Sequence, residues 1–260
     1  MPASPSPARG RPVYLSGDVH LGAVSPEREH SFLRWLEHAG ERADQVILNG
    51  DLFDFWFEYR SVIPRGHTRV LGALAALVDG GVPVTLMGGN HDWWGGSYLE
   101  QEVGVTFLRG PTRLTLGGRK VFLAHGDGLG RGDLGYRALK LMLRSGLTRW
   151  AFRWIHPDLG AGVARRVSKT EERGLTRDEK ERSAALAAWG VAKLKAEPDL
   201  DLVVLGHTHI PILDEVEPGR WYVNAGDWVV HHSYLVLEPG APPRLAEWEI
   251  SGAAAAPPPR

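Results

Sequence analysis

Short apolar runs alternate with amphipathic stretches through the first third of the chain. Residues 13–16, 45–49 and 82–87 are compact aliphatic runs, short enough to be buried strands. Between them, residues 27–39 and about 68 to 78 repeat apolar positions at helical spacing. A β-α-β-α-β rhythm of this kind predicts a parallel sheet with helices packed on it. Residues 113–116 and 120–124 flank Gly117-Gly118 and read as a hairpin. Residues 201–205, 221–224, 234–237 and 245–250 supply further strands. From 128 to about 195 the texture becomes helical, basic and tryptophan-containing, which predicts an insertion lying over the sheet edge. The expected organisation is therefore a core in two parts, 13–127 and 196–250, interrupted by a cap at 128–195. Disordered tails are expected at 1–12 and 251–260, rich in Pro, Ala and Ser.

Five of the predicted strands run directly into polar clusters. These are Gly17-Asp18-Val19-His20, Gly50-Asp51-Leu52-Phe53-Asp54, Gly88-Gly89-Asn90-His91-Asp92, His125-Gly126-Asp127 and Gly206-His207-Thr208-His209. The carboxyl ends of strands are where open α/β sheets bind ligands, because loops converge there on a rigid base. A lone Gly-Asp is ordinarily a turn and a lone His a surface or core residue. Five such clusters in order, each after a strand, instead predict one convergent metal site. The Asp-x-His and His-x-His spacings are expected to be extended, so that residues two apart face one way.

The chain has 260 residues and no cysteine, which excludes thiolate-held metal, thiol catalysis and disulfides. Any metal must therefore use His, Asp, Glu or Asn. A mixture of carboxylate, imidazole and amide donors suits manganese, iron or zinc better than magnesium or calcium. Two such ions polarise a phosphoryl oxygen and acidify a shared water. Asp51 is the choice for a carboxylate bridging them. His91, beside the ligand Asn90, is placed to assist the leaving oxygen, with Asp54 fixing its ring.

The ordered set GDVHLG, GDLFD, GGNHD, HGD and GHTH resembles the calcineurin-like metallophosphoesterase superfamily. That resemblance implies an α/β fold, a four-layer α/β/β/α sandwich with a helical insertion, and a dimetal site at its edge. One metal would take Asp18, His20, Asp51 and His209. The other would share Asp51 and take Asn90, His125 and His207, while His91 and Asp54 match the family's His–Asp pair. GDLFDFWFEYR with Trp56, the run from Gly128 to Tyr136 after HGD, and the basic stretch ending near Lys169 are similar to the UDP-2,3-diacylglucosamine pyrophosphatases of lipid A biosynthesis in Gram-negative bacteria. This closer resemblance implies hydrolysis of the UDP-linked anhydride to UMP and 2,3-diacylglucosamine 1-phosphate. The two ions are expected to be manganese, with iron or zinc as the alternatives, and substrate contacts are expected at Asn90, His91, Asp133, Tyr136, Lys169 and Trp56. The best-known branch of those enzymes has Arg where this chain has His91.

The stretch 131–169 carries nine Lys or Arg against two Asp, interleaved with Leu, Met, Phe and Trp. Basic and apolar side chains on the same helices suit anionic headgroups and acyl chains together. The alternative is an amphipathic helix pair packed on the core with a solvated basic face. With the resemblance, the expected partners are a lipid-linked UDP-sugar and a membrane surface, and the expected location is the cytoplasmic side of the inner membrane. The chain has no apolar run long enough to span a bilayer, and the first twelve residues are not a signal peptide. A net charge of −1 gives no general case for nucleic acid, and the basic stretch is too aliphatic for base stacking. A soluble nucleotide or other phosphoester is the main rival substrate. A non-catalytic scaffold would have no use for seven intact ligands.

Overall fold

The computed structural model describes residues 10–130, 140–160, 162 and 177–250. The parallel unit predicted from the first third is present: β1 (Val13–Ser16), α1 (Pro26–Arg42), β2 (Gln45–Leu48), α2 (Thr68–Asp79) and β3 (Val84–Met87). Pro26 opens α1 at a position where its missing N–H costs nothing, and Phe32, Trp35, Leu36 and Ala39 form the buried face. In α2 the corresponding face is Val70, Leu71, Leu74 and Leu77. A short strand, β4 (Thr106–Leu108), extends this sheet, and β10 (Ser233–Leu237) and β11 (Arg244–Glu247) return antiparallel at its other side. The order is β11-β10-β1-β2-β3-β4.

A second sheet of five strands has the order β5-β6-β7-β9-β8. Its members are β5 (Thr112–Leu116), β6 (Arg119–Leu123), β7 (Leu202–Leu205), β8 (Ile212–Glu217) and β9 (Arg220–Asn224). The hairpin β5–β6 turns at Gly117-Gly118, both at positive φ, as its Gly-Gly pair predicts. β6, β7 and β9 run parallel.

Three apolar clusters separate four layers. The first lies between α1, α2 and the six-stranded sheet and includes Trp35, Leu74 and Tyr234. The second joins the two sheets through Leu15, Ile47, Leu123, Val204 and Leu235. The third packs Leu186 and Leu194 against Phe122, Val203 and Tyr222. Leu186 and Leu194 belong to the long helix Arg177–Ala196. That helix is therefore the outer layer on the second sheet, so the stretch expected as cap up to 195 includes core: from Ser183 on, the buried side chains of this helix belong to the main body. Gly190 lets the helix approach, since a Cβ there would stand 2.4 Å from the Tyr222 ring.

Before that helix, residues 140–143 are helical, Arg144 and Ser145 form a turn, and a new helix runs Gly146–Phe152. The Ser145 side chain caps it by accepting from the Thr148 N–H. The expected division of the insertion near Gly146 thus falls at Ser145. The expected tails, apart from residues 10–12, lie outside the described residues.

Candidate metal centre

Both sheets deliver side chains to one place. From the first, β1 leads to Asp18 and His20, β2 to Asp51 and Asp54, and β3 to Asn90 and His91. From the second, β6 leads to His125 and β7 to His207 and His209. Donor atoms of Asp18, His20 and His209 lie within 4.8 Å of one another, and so do those of Asp51, His125 and His207. Asn90 completes the second group, its Oδ1 lying 3.1 Å from His125 Nε2. Asp51 stands between the groups: its Oδ2 is 3.2 Å from His125 Nε2 and 3.9 Å from His20 Nε2. All seven expected ligands are brought together.

The convergence has a different backbone cause from the expected one. Asp18, His20, Asp51, His207 and His209 all have φ between 50° and 69°, the left-handed region, so the Asp-x-His and His-x-His segments are not extended. Asp and His enter this region more readily than most residues, but five at one site is strain concentrated where side chains must be aimed. Close backbone approach adds a second constraint. A Cβ on Gly89 would lie 2.1 Å from Asp51 Oδ1, and one on Gly50 would lie 2.4 Å from His125 Nδ1.

Polar groups behind the cage fix the rings. His125 Nδ1 donates to the Asn49 carbonyl at 2.9 Å, which leaves Nε2 facing Asp51 and Asn90. Asp92, fully buried, accepts from the Leu52 and Gly89 N–H groups at 2.7 Å each and ties the β2 and β3 loops together. Burial and the neighbouring Asp51 push its carboxyl up to about 6. Asp227 is fully buried, with Oδ2 3.2 Å from His209 Nδ1 and Oδ1 3.0 Å from His231 Nδ1. Its loop is not among the five clusters singled out from the sequence. The signal available was a sixth strand-end Gly-Asp, Gly226-Asp227, after β9.

Charge at the site suits cations. Burial holds the Asp18 carboxyl up, while His125 and its hydrogen bond to Asp51 outweigh burial and hold Asp51 well below the usual range. Burial and the adjacent His125 push His207 down to about 3, so that ring is neutral and free to ligate at pH 7. For His209, burial is outweighed by Asp18 and Asp227, which lift it to about 9. A metal at that ring must displace a proton. Asp18 Oδ1 is buried without a hydrogen-bond donor, and His20 Nε2 faces His209 Nε2 at 3.3 Å. A carboxylate oxygen and two imidazole nitrogens converging on one space form a donor set for a divalent cation once the His209 proton is displaced.

His91 sits at the rim, part-buried, its ring edge-on to His20 at 4.8 Å. Its Nδ1 donates to the Asp54 backbone carbonyl at 2.8 Å. The Asp54 carboxylate is farther, 3.6 Å from His91 Nδ1 and 3.4 Å from His20 Nδ1. Asp54 therefore fixes His91 chiefly through its main chain.

Trp56 does not line a cleft. It is fully buried, stacked on Phe53 with its indole N–H donating to Glu58, so the expected substrate contact there is corrected to support from beneath. Glu58 is itself buried and also accepts from the Gly96 and Tyr98 N–H groups, a tether absent from the sequence reading. Asp133, Tyr136 and Lys169 lie outside the described residues. Trp93 and Trp94 hold the insertion: the Arg144 guanidinium lies 3.4 Å from the Trp93 ring centroid, and Trp94 Nε1 donates to the Leu143 carbonyl. Buried Asp127 takes Lys140 at 2.8 Å and Arg144 at 3.0 Å. Two cations of the basic stretch are thus engaged by the core.

The sequence pattern of calcineurin-like phosphoesterases matches residues 11–211. The chain is 30% identical to UDP-2,3-diacylglucosamine hydrolase of Porphyromonas gingivalis, over 87% of this chain and 94% of that protein. Identity to the hydrolase of that name from Ectopseudomonas mendocina is 32%, over 83% and 90%. For Aeromonas hydrophila it is 31%, over 86% and 93%. The fold and site define a metal-dependent hydrolase of phosphate esters and anhydrides. The chain belongs to the calcineurin-like phosphoesterase family.

Proposed function

We propose that this protein hydrolyses the pyrophosphate bond of UDP-2,3-diacylglucosamine, releasing UMP and 2,3-diacylglucosamine 1-phosphate. The observation that carries this reading is likeness to hydrolases named for that substrate along nearly their whole length, 90–94% in the three above. Asp18, His20, Asp51 and His209 would hold one metal, and Asp51, Asn90, His125 and His207 the other. Bound there, two divalent ions, manganese in this reading, supply Lewis-acid polarisation of phosphoryl oxygens and acidify water.

The chain's own groups do the rest. Water adds to the α-phosphorus, the bond from that phosphorus to the bridging oxygen breaks, and the bridging oxygen leaves with the lipid phosphate. With Nδ1 committed to the Asp54 carbonyl, His91 has Nε2 left to hydrogen-bond or protonate oxygen at the reacting centre. The insertion exposes Leu147, Trp150 and Trp154 beside Arg153, a surface suited to anionic lipid, which supports peripheral attachment to the cytoplasmic face of the inner membrane. No described helix is long and apolar enough to cross a membrane.

The test is UMP release by manganese-loaded protein from UDP-2,3-diacylglucosamine in detergent, with UDP-N-acetylglucosamine alongside. Release from the acylated substrate alone is expected, and D51A and N90A should fall to the background rate with circular dichroism unchanged. Release from neither, with a generic aryl phosphodiester still cleaved, would sink the substrate assignment.

A further inference from the structure

A cavity of about 550 Å³ opens beside the cage, between the start of α1, the loop after β2 and the insertion at Pro157-Asp158. It reaches the cage through two residues: Leu21, which follows His20, and Asp54, whose carboxylate abuts His20 and whose carbonyl holds His91. We propose that this cavity binds the nucleoside half of the substrate, an inference that rests on the pyrophosphatase reading above.

The lining separates a nucleoside from an acyl chain. Glu29, Asp54, Arg65 and Asp158 all border the cavity. Burying an alkyl chain against four ionisable groups would strip them of water with no compensating hydrogen bond. A ribose and a base offer that compensation. Hydroxyls donate to carboxylates such as Glu29 and Asp158, and the carbonyl oxygens of a pyrimidine accept from a guanidinium such as Arg65. The cavity also has aromatic walls at Phe55 and Tyr59. Phe55 packs on Phe152, and Tyr59 packs edge-on to Phe57 at 4.7 Å, so both rings are held in place for stacking. The volume lies within the range of small-molecule sites, roughly 300–1,000 Å³. A phosphorus held at the cage carries two substituents that must diverge. One enters this cavity, where charged and aromatic side chains share the walls, and the other is free to follow the exposed apolar side chains of the insertion.

The experiment compares manganese-loaded wild type with Arg65→Ala and Glu29→Gln, measuring inhibition of turnover by UMP and, separately, by 2,3-diacylglucosamine 1-phosphate. UMP inhibition should weaken about tenfold in Arg65→Ala, the loss of one charge-assisted hydrogen bond, while inhibition by the lipid product holds at the wild-type level. Unchanged UMP inhibition in both variants would overturn the assignment, as would weakening of the lipid product alone or of both products equally. If the wild type does not cleave UDP-2,3-diacylglucosamine, the pyrophosphatase reading fails by itself. Calorimetric titration of UMP against ribose 5-phosphate then decides the cavity: base-dependent binding lost in Arg65→Ala upholds it, and no preference for UMP overturns it.

Discussion

A single buried carboxylate, Asp227, touches two imidazoles and no solvent, and through His209 it sets the direction of one proposed ligand. An Asp227→Asn variant keeps the shape and loses the charge. Carboxylates behind metal-bound histidines are worth about 10–100-fold in affinity, so the variant should bind its first-released manganese that much more weakly in a chelator competition, with His231 left in place. His67 poses a different question of charge. It is buried against Phe53 and Trp56, and burial alone pushes its pKa down to about 4. The unfolded chain takes up this proton near pH 6.5, the folded chain only near 4. Between those values the unfolded state binds more protons, so stability is full above pH 6.5 and is lost as pH falls, by about 3 kcal/mol. Urea midpoints at pH 7.5 and 5.0 should diverge less in His67→Gln than in wild type. Equal pH dependence in the two proteins would show that His67 titrates normally in the fold. Residue identity was the most legible level of the sequence: every proposed ligand stood in a strand-end cluster. Their left-handed backbone was not, because φ is set by the loop as a whole and leaves no mark on spacing. Trp56 was misplaced because an aromatic beside a site motif reads alike whether it faces ligand or core.

Among the elements, the buried strands announced themselves, as did the edge strands β5 and β11, whereas β8 and β4 did not. β8 is an edge strand carrying Asp214, Glu215 and Glu217, charges that protect an open edge and hide it from a search for apolar runs. β4 is only three residues. The Arg177–Ala196 helix was assigned to the insertion because its buried stripe, Ser183, Leu186, Gly190 and Leu194, contains two small residues and so shows little apolar period. The insertion proper is joined to the core by Asp127 with Lys140 and Arg144, and by Arg144 on Trp93. Removing the buried member of such a cluster leaves its partners without compensation. Asp127→Asn should therefore expose the segment 140–160 to trypsin at several-fold lower protease concentration than wild type. The core should remain resistant, and KM for the acylated substrate should rise more than kcat falls. Unaltered cleavage would mean that Trp94 and Phe152 alone hold the insertion down.

At the scale of the molecule, each proposed metal takes ligands from both sheets: Asp18, His20 and Asp51 meet His209, and Asp51 and Asn90 meet His125 and His207. Bound ions thus cross-brace the two sheets, and whatever binds only the folded state stabilises it, by about 2.7 kcal/mol at a hundredfold excess over Kd. Chelation should lower the melting temperature by about 5–10 °C for a chain of this size, and added manganese should restore it. An unmoved melting temperature would show that the sheets stand without the ions. The same division has a bearing on the life of the chain before it is an enzyme. Four of the seven ligands leave the ribosome within the first 90 residues, yet one proposed ion lacks a full set until His207 has been made and the other until His209, and both lie beyond the whole insertion. Completion of both metal sites is then a late event in synthesis, and a product cut short before residue 207 would leave each site one ligand short, without the brace from the second sheet's His207 and His209.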